Sequence, residues 1–438
     1  MRHLPRLAVG TLQQEARCEP VLWGLLAALQ AKDDSPVFFR SSCCFAPHDP
    51  SQSILGRSAR HLDSWAMSRA AAATALTRAT SDRDLALVAG SYCDRSSASQ
   101  LSTLCEWLEL PRLAVVDVQQ LRRGGWAAPP SEIDGLLLDR IENPEHAAYW
   151  QTTLEALWQT PVLGWLDEAP ALRKLCLSLA PGMNPSRELG EALGARLLSN
   201  LRLEKLRALA RRAGPLAAET DDWLRSSNKR FRIAVAYDKV YCGYYPETLD
   251  LLEAAGAELC DFSPLKSEAL PEGADVVYFG CGHPERDPLA LAGNHCLKQS
   301  LRCYAAAGGR IYAEGSGLAY LCREIVVPDG SGGARSVPMT GLLPATARWL
   351  PNAQPEPAEI VFGASSWLVP AHMSLRGYRH TGWQIEPRGP MLTYSADASQ
   401  RLDMLGRGNV IGSRILINLA ANRHLLRRFF EPYAPIAS

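Results

Sequence analysis

Short apolar runs alternate with amphipathic stretches along the first half of the chain, and this alternation limits the fold more than any other feature. The predicted strands are Leu7–Gly10, Val37–Arg40, Leu85–Ala89, Leu113–Val118, Gly135–Asp139 and Val162–Leu166. The helical patterns between and after them are Pro20–Lys32, Ser64–Thr80, Ser99–Leu108, Glu145–Trp158 and Ser186–Arg212. Strands that alternate with helices favour βαβ units, so we predict an α/β fold with a parallel sheet buried on both faces.

The pattern restarts after a polar stretch with a Gly-Pro break, residues 211–232, which has the composition of a linker. The predicted strands beyond it are Ile233–Tyr237, Leu259–Phe262, Val276–Phe279, Arg310–Ala313, Val410–Gly412 and Ile415–Leu419. The predicted helices are Glu247–Ala255, Asn294–Ala307 and Asn422–Phe430. Loops are expected to dominate Pro328–Pro357, which is rich in Pro and Gly. A chain of 438 residues fits two domains, predicted at 1–228 and 229–438.

Charge and hydropathy exclude several classes of partner. Lys+Arg and Asp+Glu number 46 each, so we expect no nucleic acid and no anionic membrane surface as partner. No apolar run approaches the roughly 20 residues that span a bilayer, and no leader is visible, so a cytoplasmic protein is expected. The twelve cysteines are then expected to be mainly thiols. Buried small apolar side chains are the preferred interpretation, and a metal or cluster site at Cys18, Cys43, Cys44 and Cys93 stays open.

The segment "RIYAEGSGLAYL", Arg310 to Leu321, is the most informative local motif. An apolar strand pattern turns through Gly315-Ser316-Gly317 into a sequence that can be helical. Many enzymes expose a nucleophile on such a strand–turn–helix. The motif therefore raises the question of whether Ser316 is a nucleophile.

Several segments together resemble the cobyrinic acid a,c-diamide synthase family of tetrapyrrole amidases. They are Gly56–Trp65, Gly135–Leu166, Tyr244–Glu285 and Ile311–Leu321, and they occur in the family's order. The resemblance implies a dethiobiotin-synthetase-like P-loop-type parallel-sheet domain followed by a class I glutamine amidotransferase-like, flavodoxin-like domain. It also implies ATP, Mg²⁺ and glutamine as reactants in an active member.

The catalytic positions of the amidotransferase domain are altered in this sequence. The resemblance places Gly315 at the nucleophile position and Leu416 and Asn418 at the histidine positions. Ser316 is one residue late, so its side chain is expected to point away from the pocket and not to replace the thiol. Cys281 occupies the oxyanion-turn position, two residues before His283, and is interpreted as a buried inert thiol.

The nucleotide site is altered as well. Gly10-Thr11 keep the start of a phosphate loop, but Leu12–Glu15 replace its glycines, and the motif's lysine is missing. Ala89-Gly90 stand where the family has a Glu-Gly pair for the metal; Asp94, a few residues on, is interpreted as a solvated loop residue. We therefore expect no cofactor, with ATP and Mg²⁺ bound only if the site has been rebuilt.

Loss of both centres predicts a non-catalytic homologue that binds a tetrapyrrole or another large planar ligand, or a partner protein. The alternatives are an active ATP- and glutamine-dependent amidase with a rewired site, and a scaffold or regulatory subunit; a homodimer is also open. By family position the candidate ligand-binding residues are Asp63, Trp65, Tyr244, Tyr245, Arg57, Arg60 and Arg376. The aromatic rings are expected to stack on the macrocycle and the arginines to bind its carboxylates.

Overall fold

The computed structural model describes residues 3–13, 16–45, 48–80, 84–94, 97–123, 132–179, 183–217, 230–330, 332–351, 353–396 and 402–431. The chain divides into two compact units, residues 1–220 and 221–438. The predicted boundary between residues 228 and 229 lies outside the described residues and stays a prediction. No helix in the described ranges is long and apolar enough to cross a membrane.

The first unit alternates strands and helices. Its strands are β1 Arg6–Thr11, β2 Ser35–Arg40, β3 Arg60–His61, β4 Asp84–Ser91, β5 Arg112–Asp117, β6 Gly135–Ile141 and β7 Val162–Asp167. Its helices are α1 Glu19–Gln30, α2 Pro50–Leu55, α3 Arg69–Ala79, α4 Leu101–Leu108, α5 Val118–Arg122, α6 Pro144–Trp158, α7 Pro170–Ser178, α8 Arg187–Leu198 and α9 Leu203–Ala210.

These seven strands form one parallel sheet in the order β3-β2-β4-β1-β5-β6-β7. Successive residues of β5 alternate between two apolar clusters: Leu113 and Val115 belong to one, and Ala114 and Val116 to the other. Neighbouring side chains of a strand point to opposite faces, so both faces are covered. The predicted α/β class and parallel sheet are confirmed.

The structure changes the bounds of two predicted helices: one begins later, and the other is divided into two. α3 begins at Arg69 instead of Ser64, because the Ser68 side chain caps it by accepting the Ala71 N–H at 3.2 Å. The long helical pattern 186–212 is two helices, α8 and α9. Between them the Arg202 N–H donates to the Leu163 carbonyl at 2.7 Å, which ties the break to β7.

The second unit is richer in strands. They are β8 Phe231–Ala236, β9 Tyr241–Gly243, β10 Ala257–Phe262, β11 Val276–Phe279, β12 Cys281–Gly282, β13 Arg310–Glu314, β14 Cys322–Pro328, β15 Ala334–Pro338, β16 Leu343–Trp349, β17 Glu356–Val361, β18 Ser374–Arg379, β19 Trp383–Pro387, β20 Leu392–Ala396, β21 Leu402–Arg407, β22 Val410–Ser413 and β23 Ile415–Leu416. The helices are α10 Pro246–Ala254, α11 Pro288–Gly293, α12 His295–Ala306, α13 Ser316–Leu321 and α14 Arg423–Phe430.

The central sheet of this unit has the order β10-β8-β11-β13-β22-β21-β20. The pairs from β10 to β22 are parallel, and β21 and β20 are added antiparallel. β13 is therefore an interior strand, and its carboxyl end delivers Gly315 and α13 to the edge where ligand sites of such sheets form.

The expectation of loops over Pro328–Pro357 is wrong. Strands β15 and β16 lie inside this range, and β14 and β17 overlap its ends. Val337, Leu343 and Ala345 are buried in the same apolar cluster as the central sheet. Burial of these side chains outweighs the local preference of Pro and Gly for turns.

Candidate functional site

Gly315 forms the sharp turn, or elbow, between β13 and α13. Its backbone has φ 57° and ψ −121°, a left-handed conformation that favours glycine. The Gly315 N–H donates to the Ser413 carbonyl at 2.8 Å, which fixes the turn on β22. The structure thus places the predicted nucleophile position at a strained strand-to-helix turn with no side chain.

The space beside Gly315 is filled by other side chains. A Cβ atom built on Gly315 would lie 2.1 Å from the Sγ of Cys281, 2.9 Å from Leu416 Cδ2 and 3.5 Å from His380 Cδ2. Real Cβ atoms essentially never approach a heavy atom within 3.0 Å. The sulfur of Cys281 therefore occupies the volume that a side chain at position 315 would need.

Cys281 is not placed to act as a thiolate. It begins β12, which pairs with β9, and its side chain is buried. Burial, and then the nearby Glu314 carboxyl, raise the pKa of the Cys281 thiol to about 12. The thiolate is the nucleophilic form, and at neutral pH this pKa leaves the sulfur protonated.

Ser316 binds the facing turn at Cys281 and Gly282, which was predicted to form the oxyanion hole. Its Oγ accepts the Gly282 N–H at 2.5 Å and donates to the Gly282 carbonyl at 2.8 Å. The side chain is fully buried. An oxyanion hole needs N–H groups directed at the developing negative charge, and the N–H of Gly282 is directed at Ser316 instead.

The two predicted histidine positions carry groups that do not transfer protons. Leu416 is buried in β23 and borders the space at Gly315. Asn418 is also buried; its Nδ2 donates to Glu247 Oε1 at 2.6 Å, and its Oδ1 accepts the Ala420 N–H at 2.9 Å. An alkyl group and a hydrogen-bonded amide supply no general base.

His380 is the imidazole that borders Gly315. It lies in "RGYRHTGW", residues 376–383, which resembles a histidine-bearing segment of the family but places this histidine out of register. It directly follows β18, and its backbone N–H donates to the Arg414 carbonyl at 2.7 Å. The residue is half-buried, and its Nδ1 atom is buried with no hydrogen-bond partner in the described part of the chain. Burial, with Arg414 and His283 nearby, lowers the pKa of His380 to about 4, so the ring is neutral at pH 7. Only the "RGYRHTGW" match could have indicated its position.

Glu314, which precedes Gly315, is a fully buried carboxyl. It accepts the Tyr278 hydroxyl at 2.5 Å, the Tyr312 hydroxyl at 3.1 Å and the Ile417 N–H at 3.1 Å. Burial raises the pKa of Glu314 to about 7, although these hydrogen bonds favour its charged form. The group joins β11, β13 and the chain after β23, so its main effect is to hold the elbow together.

Residues 10–13, the described part of the predicted phosphate loop, are packed against other side chains. A Cβ on Gly10 would lie 2.9 Å from both Leu101 Cδ2 and Tyr92 Cδ2. Leu12 is buried in the apolar cluster that includes Val116. The Gln13 side chain accepts the Asp117 N–H at 2.8 Å and donates to its carbonyl at 2.9 Å. Gln14 and Glu15 lie outside the described residues. The surroundings of residues 10–13 do not fit a triphosphate.

Asp63 has a structural role in the turn after β3. Its Oδ1 accepts the N–H groups of Trp65 and Ala66 at 2.8 Å, and its Oδ2 accepts that of Cys43 at 2.8 Å. The carboxylate is fully buried. Within the described ranges, no group of three or more His, Cys, Asp or Glu residues suits a metal ion, so the cysteine site at 18, 43, 44 and 93 gains no support.

The two tyrosines predicted to stack on a macrocycle do not offer open faces. Tyr244 packs edge-on against Tyr278, with ring centroids 5.1 Å apart, and its hydroxyl donates to the Ala236 carbonyl at 2.5 Å. Tyr245 is fully buried. Both rings are buried, that of Tyr244 against β11, so the expected stacking role does not fit this structure.

The remaining candidates are partly exposed. Arg57, Arg60 and Trp65 lie along one short segment around β3 and are half-buried. Arg57 Nη2 donates to the Pro36 carbonyl at 2.9 Å. Arg376, in the second unit, pairs with Glu359 at 3.1 Å on the exposed face of β18.

The sequence of the second unit matches a known domain family. Residues 232–413 match the family model of the CobB/CobQ-like glutamine amidotransferase domain. A solved glutamine amidotransferase structure aligns with 45% of this chain and 98% of its own, at 15% identity and a TM-score of 0.35.

The similarity extends over the whole chain. The cobyrinate a,c-diamide synthase of Syntrophotalea carbinolica is 28% identical, with 98% of both chains covered. The hydrogenobyrinate a,c-diamide synthase of Streptomyces coelicolor is 27% identical, with 98% of this chain and 97% of its own covered. The chain is thus similar over nearly its whole length to cobyrinate and hydrogenobyrinate a,c-diamide synthases.

Proposed function

We propose that this chain is a non-catalytic member of its family that binds a carboxylated tetrapyrrole. The observation that carries the proposal is the sulfur of Cys281, 2.1 Å from the point where a side chain on Gly315 would begin. A glutaminase needs a thiolate at this turn and a base beside it. Here the position has no side chain, and the neighbouring thiol is protonated at neutral pH.

The first unit supports the same proposal independently. Amide formation in the family requires a carboxylate activated by ATP, and the loop after β1 is filled by Leu12 and fastened to Asp117 by Gln13. A rewired amidase would need new groups for both the phosphate and the ammonia chemistry. The absence of fitting groups at residues 10–13 and at Gly315 favours a binding function over that alternative.

Ligand binding is supported by what the chain shares with its relatives. The match covers nearly all of both chains, and the relatives are named for cobyrinate and hydrogenobyrinate. Arg57, Arg60 and Trp65 combine guanidinium groups with an aromatic ring on one segment. Guanidinium groups bind carboxylates strongly, and an indole ring provides a flat apolar surface.

Titration of the full chain with cobyrinic acid, followed by absorbance and by Trp fluorescence, tests this function. We expect saturable one-to-one binding that weakens about tenfold in Arg60→Gln and in Trp65→Ala, for a loss of one charge-assisted contact or one stacking face. Arg187→Gln is the matched control: Arg187 is an exposed arginine that pairs with Glu191 on α8, and its loss is expected to leave binding unchanged.

Two other outcomes would favour the rival functions. Failure of the folded chain to bind cobyrinic, hydrogenobyrinic or any other tetrapyrrole acid would overturn the proposal, and stoichiometric co-elution with an active synthase of the same family would then assign a scaffold or regulatory role. Amidation of the bound acid with ATP and glutamine would assign a rewired amidase.

A further inference from the structure

Positions 281 and 315 compete for the same volume. The Sγ of Cys281 lies 2.1 Å from a Cβ built on Gly315, whereas the next two atoms, Leu416 Cδ2 and His380 Cδ2, lie at 2.9 and 3.5 Å. Because these are the three nearest heavy atoms, the Cβ of Cys281 itself is no closer than 3.5 Å. Loss of the sulfur would therefore remove the most severe overlap and leave only the 2.9 Å approach of Leu416 Cδ2, which is the far end of a flexible side chain.

The sulfur is held in this volume by the surrounding backbone. Cys281 pairs with Gly243 across β12 and β9. The next residue, Gly282, is bonded on both its N–H and its carbonyl to the buried Ser316 hydroxyl. The backbone of both β12 residues is thus held in place, by pairing with β9 and by the Ser316 hydroxyl.

We propose that Cys281 is the residue that closes the nucleophile pocket, so that positions 281 and 315 hold one side chain between them. This inference rests on the proposed non-catalytic function and says how the site was closed. The sulfur of Cys281 fills the volume that a side chain at position 315 would otherwise use. Removing the Cys281 sulfur reopens a pocket that accepts a side chain, including a thiol, at position 315.

A double-mutant cycle with Gly315→Ala and Cys281→Ala tests the competition, because strain from the positive φ at 315 is present in both backgrounds and cancels. Gly408→Ala is the matched control: Gly408 has φ 58°, and a Cβ there meets nothing within 4 Å. We expect Gly315→Ala to lower the Tm by roughly 5 °C more than Gly408→Ala does, as overpacking a core does. In the Cys281→Ala background this excess should disappear, and Gly408→Ala should lower the Tm equally in both backgrounds.

Equal Tm losses for Gly315→Ala with and without Cys281 would overturn the inference. If Gly315→Ala alone fails to fold, recovery of a folded double variant supports the inference, and failure of both variants contradicts it. Glutamine hydrolysis by the unaltered chain would instead contradict the proposed function, so the two failures are distinguishable.

A second readout follows the thiol itself. In the double variant Gly315→Cys with Cys281→Ala, we expect the folded protein to be alkylated by iodoacetamide at position 315 at least tenfold faster than Cys281 is in the unaltered chain. Mass spectrometry of the peptide that spans 310–321 identifies the modified residue. Equal rates would show that removal of the Cys281 sulfur does not reopen the pocket.

Discussion

The hydroxyl of Ser316 binds both polar backbone groups of Gly282: it accepts the N–H at 2.5 Å and donates to the carbonyl at 2.8 Å. The elbow and the facing turn are thereby joined by one buried side chain. The same bonds occupy the N–H that an amidotransferase would direct at a developing oxyanion. Ser316 thus links the start of α13 to Gly282 of β12.

Ser316→Ala should reduce the free energy of unfolding by about 1–3 kcal/mol, because both Gly282 groups lose their buried partner. Urea unfolding followed by Trp fluorescence measures the change. Ser336→Ala is the control: Ser336 is exposed and bonds Glu324 at the surface, so its loss should cost less than about 0.5 kcal/mol. Equal effects of the two substitutions would contradict the structural role of Ser316.

Glu314 makes stability depend on pH in a defined direction. Its pKa is raised from 4.5 to about 7 in the folded chain, so the unfolded chain loses the proton first. The protonated Glu314 therefore adds about 3 kcal/mol to the free energy of unfolding below pH 4.5, and this stabilisation is lost as the pH rises through 7. Glu314→Gln should remove that slope from urea-unfolding data recorded between pH 4.5 and 7; an unchanged slope would contradict the assignment.

His380 acts in the opposite direction. Its pKa is lowered from 6.5 to about 4 in the folded chain, so the unfolded chain takes up the proton first. Stability from the neutral ring is fully present above pH 6.5 and is lost as the pH falls toward 4, by about 3 kcal/mol. We expect His380→Phe to flatten the acid limb of the unfolding curve. A steeper acid limb in this variant would show that the ring is not buried in its neutral form.

The filled loop after β1 predicts that the chain does not bind ATP with Mg²⁺ at micromolar concentrations. Leu12 is buried in the apolar cluster and Gln13 is bonded to the Asp117 backbone, so no anion-binding loop is present at residues 10–13. Titration with a fluorescent ATP analogue and Mg²⁺ should show no saturable signal. Saturation that unlabelled ATP reverses would mean that other residues have rebuilt the phosphate site.

The sequence sufficed for the class of fold and for most of its elements. Runs such as Leu113–Val118 predict strands buried on both faces because every residue except Asp117 is apolar, and the structure places successive side chains of β5 in clusters on opposite faces. The segment Pro328–Pro357 was interpreted wrongly, because its strands are stabilised by burial of Val337 and Leu343 against distant parts of the chain. Such contacts leave no local pattern.

The candidate site was predictable only in part. Family position led to Gly315, Ser316, Leu416 and Cys281, but the sequence does not reveal that the Cys281 sulfur fills the space at Gly315. That contact joins residues 34 positions apart through the geometry of two turns. The sequence likewise suggested open faces for Tyr244 and Tyr245, since a pair of aromatic residues has the same pattern whether it binds a ligand or packs in a core.

Glutamate release from glutamine by the purified full-length chain tests the central claim most directly. With glycine at position 315, leucine at position 416 and a protonated thiol at Cys281, we predict a rate equal to that of a Gly315→Ala, Cys281→Ala double variant and of buffer alone. Release above both backgrounds that requires Cys281 or Ser316 would contradict the account, because the pocket would then contain a working nucleophile.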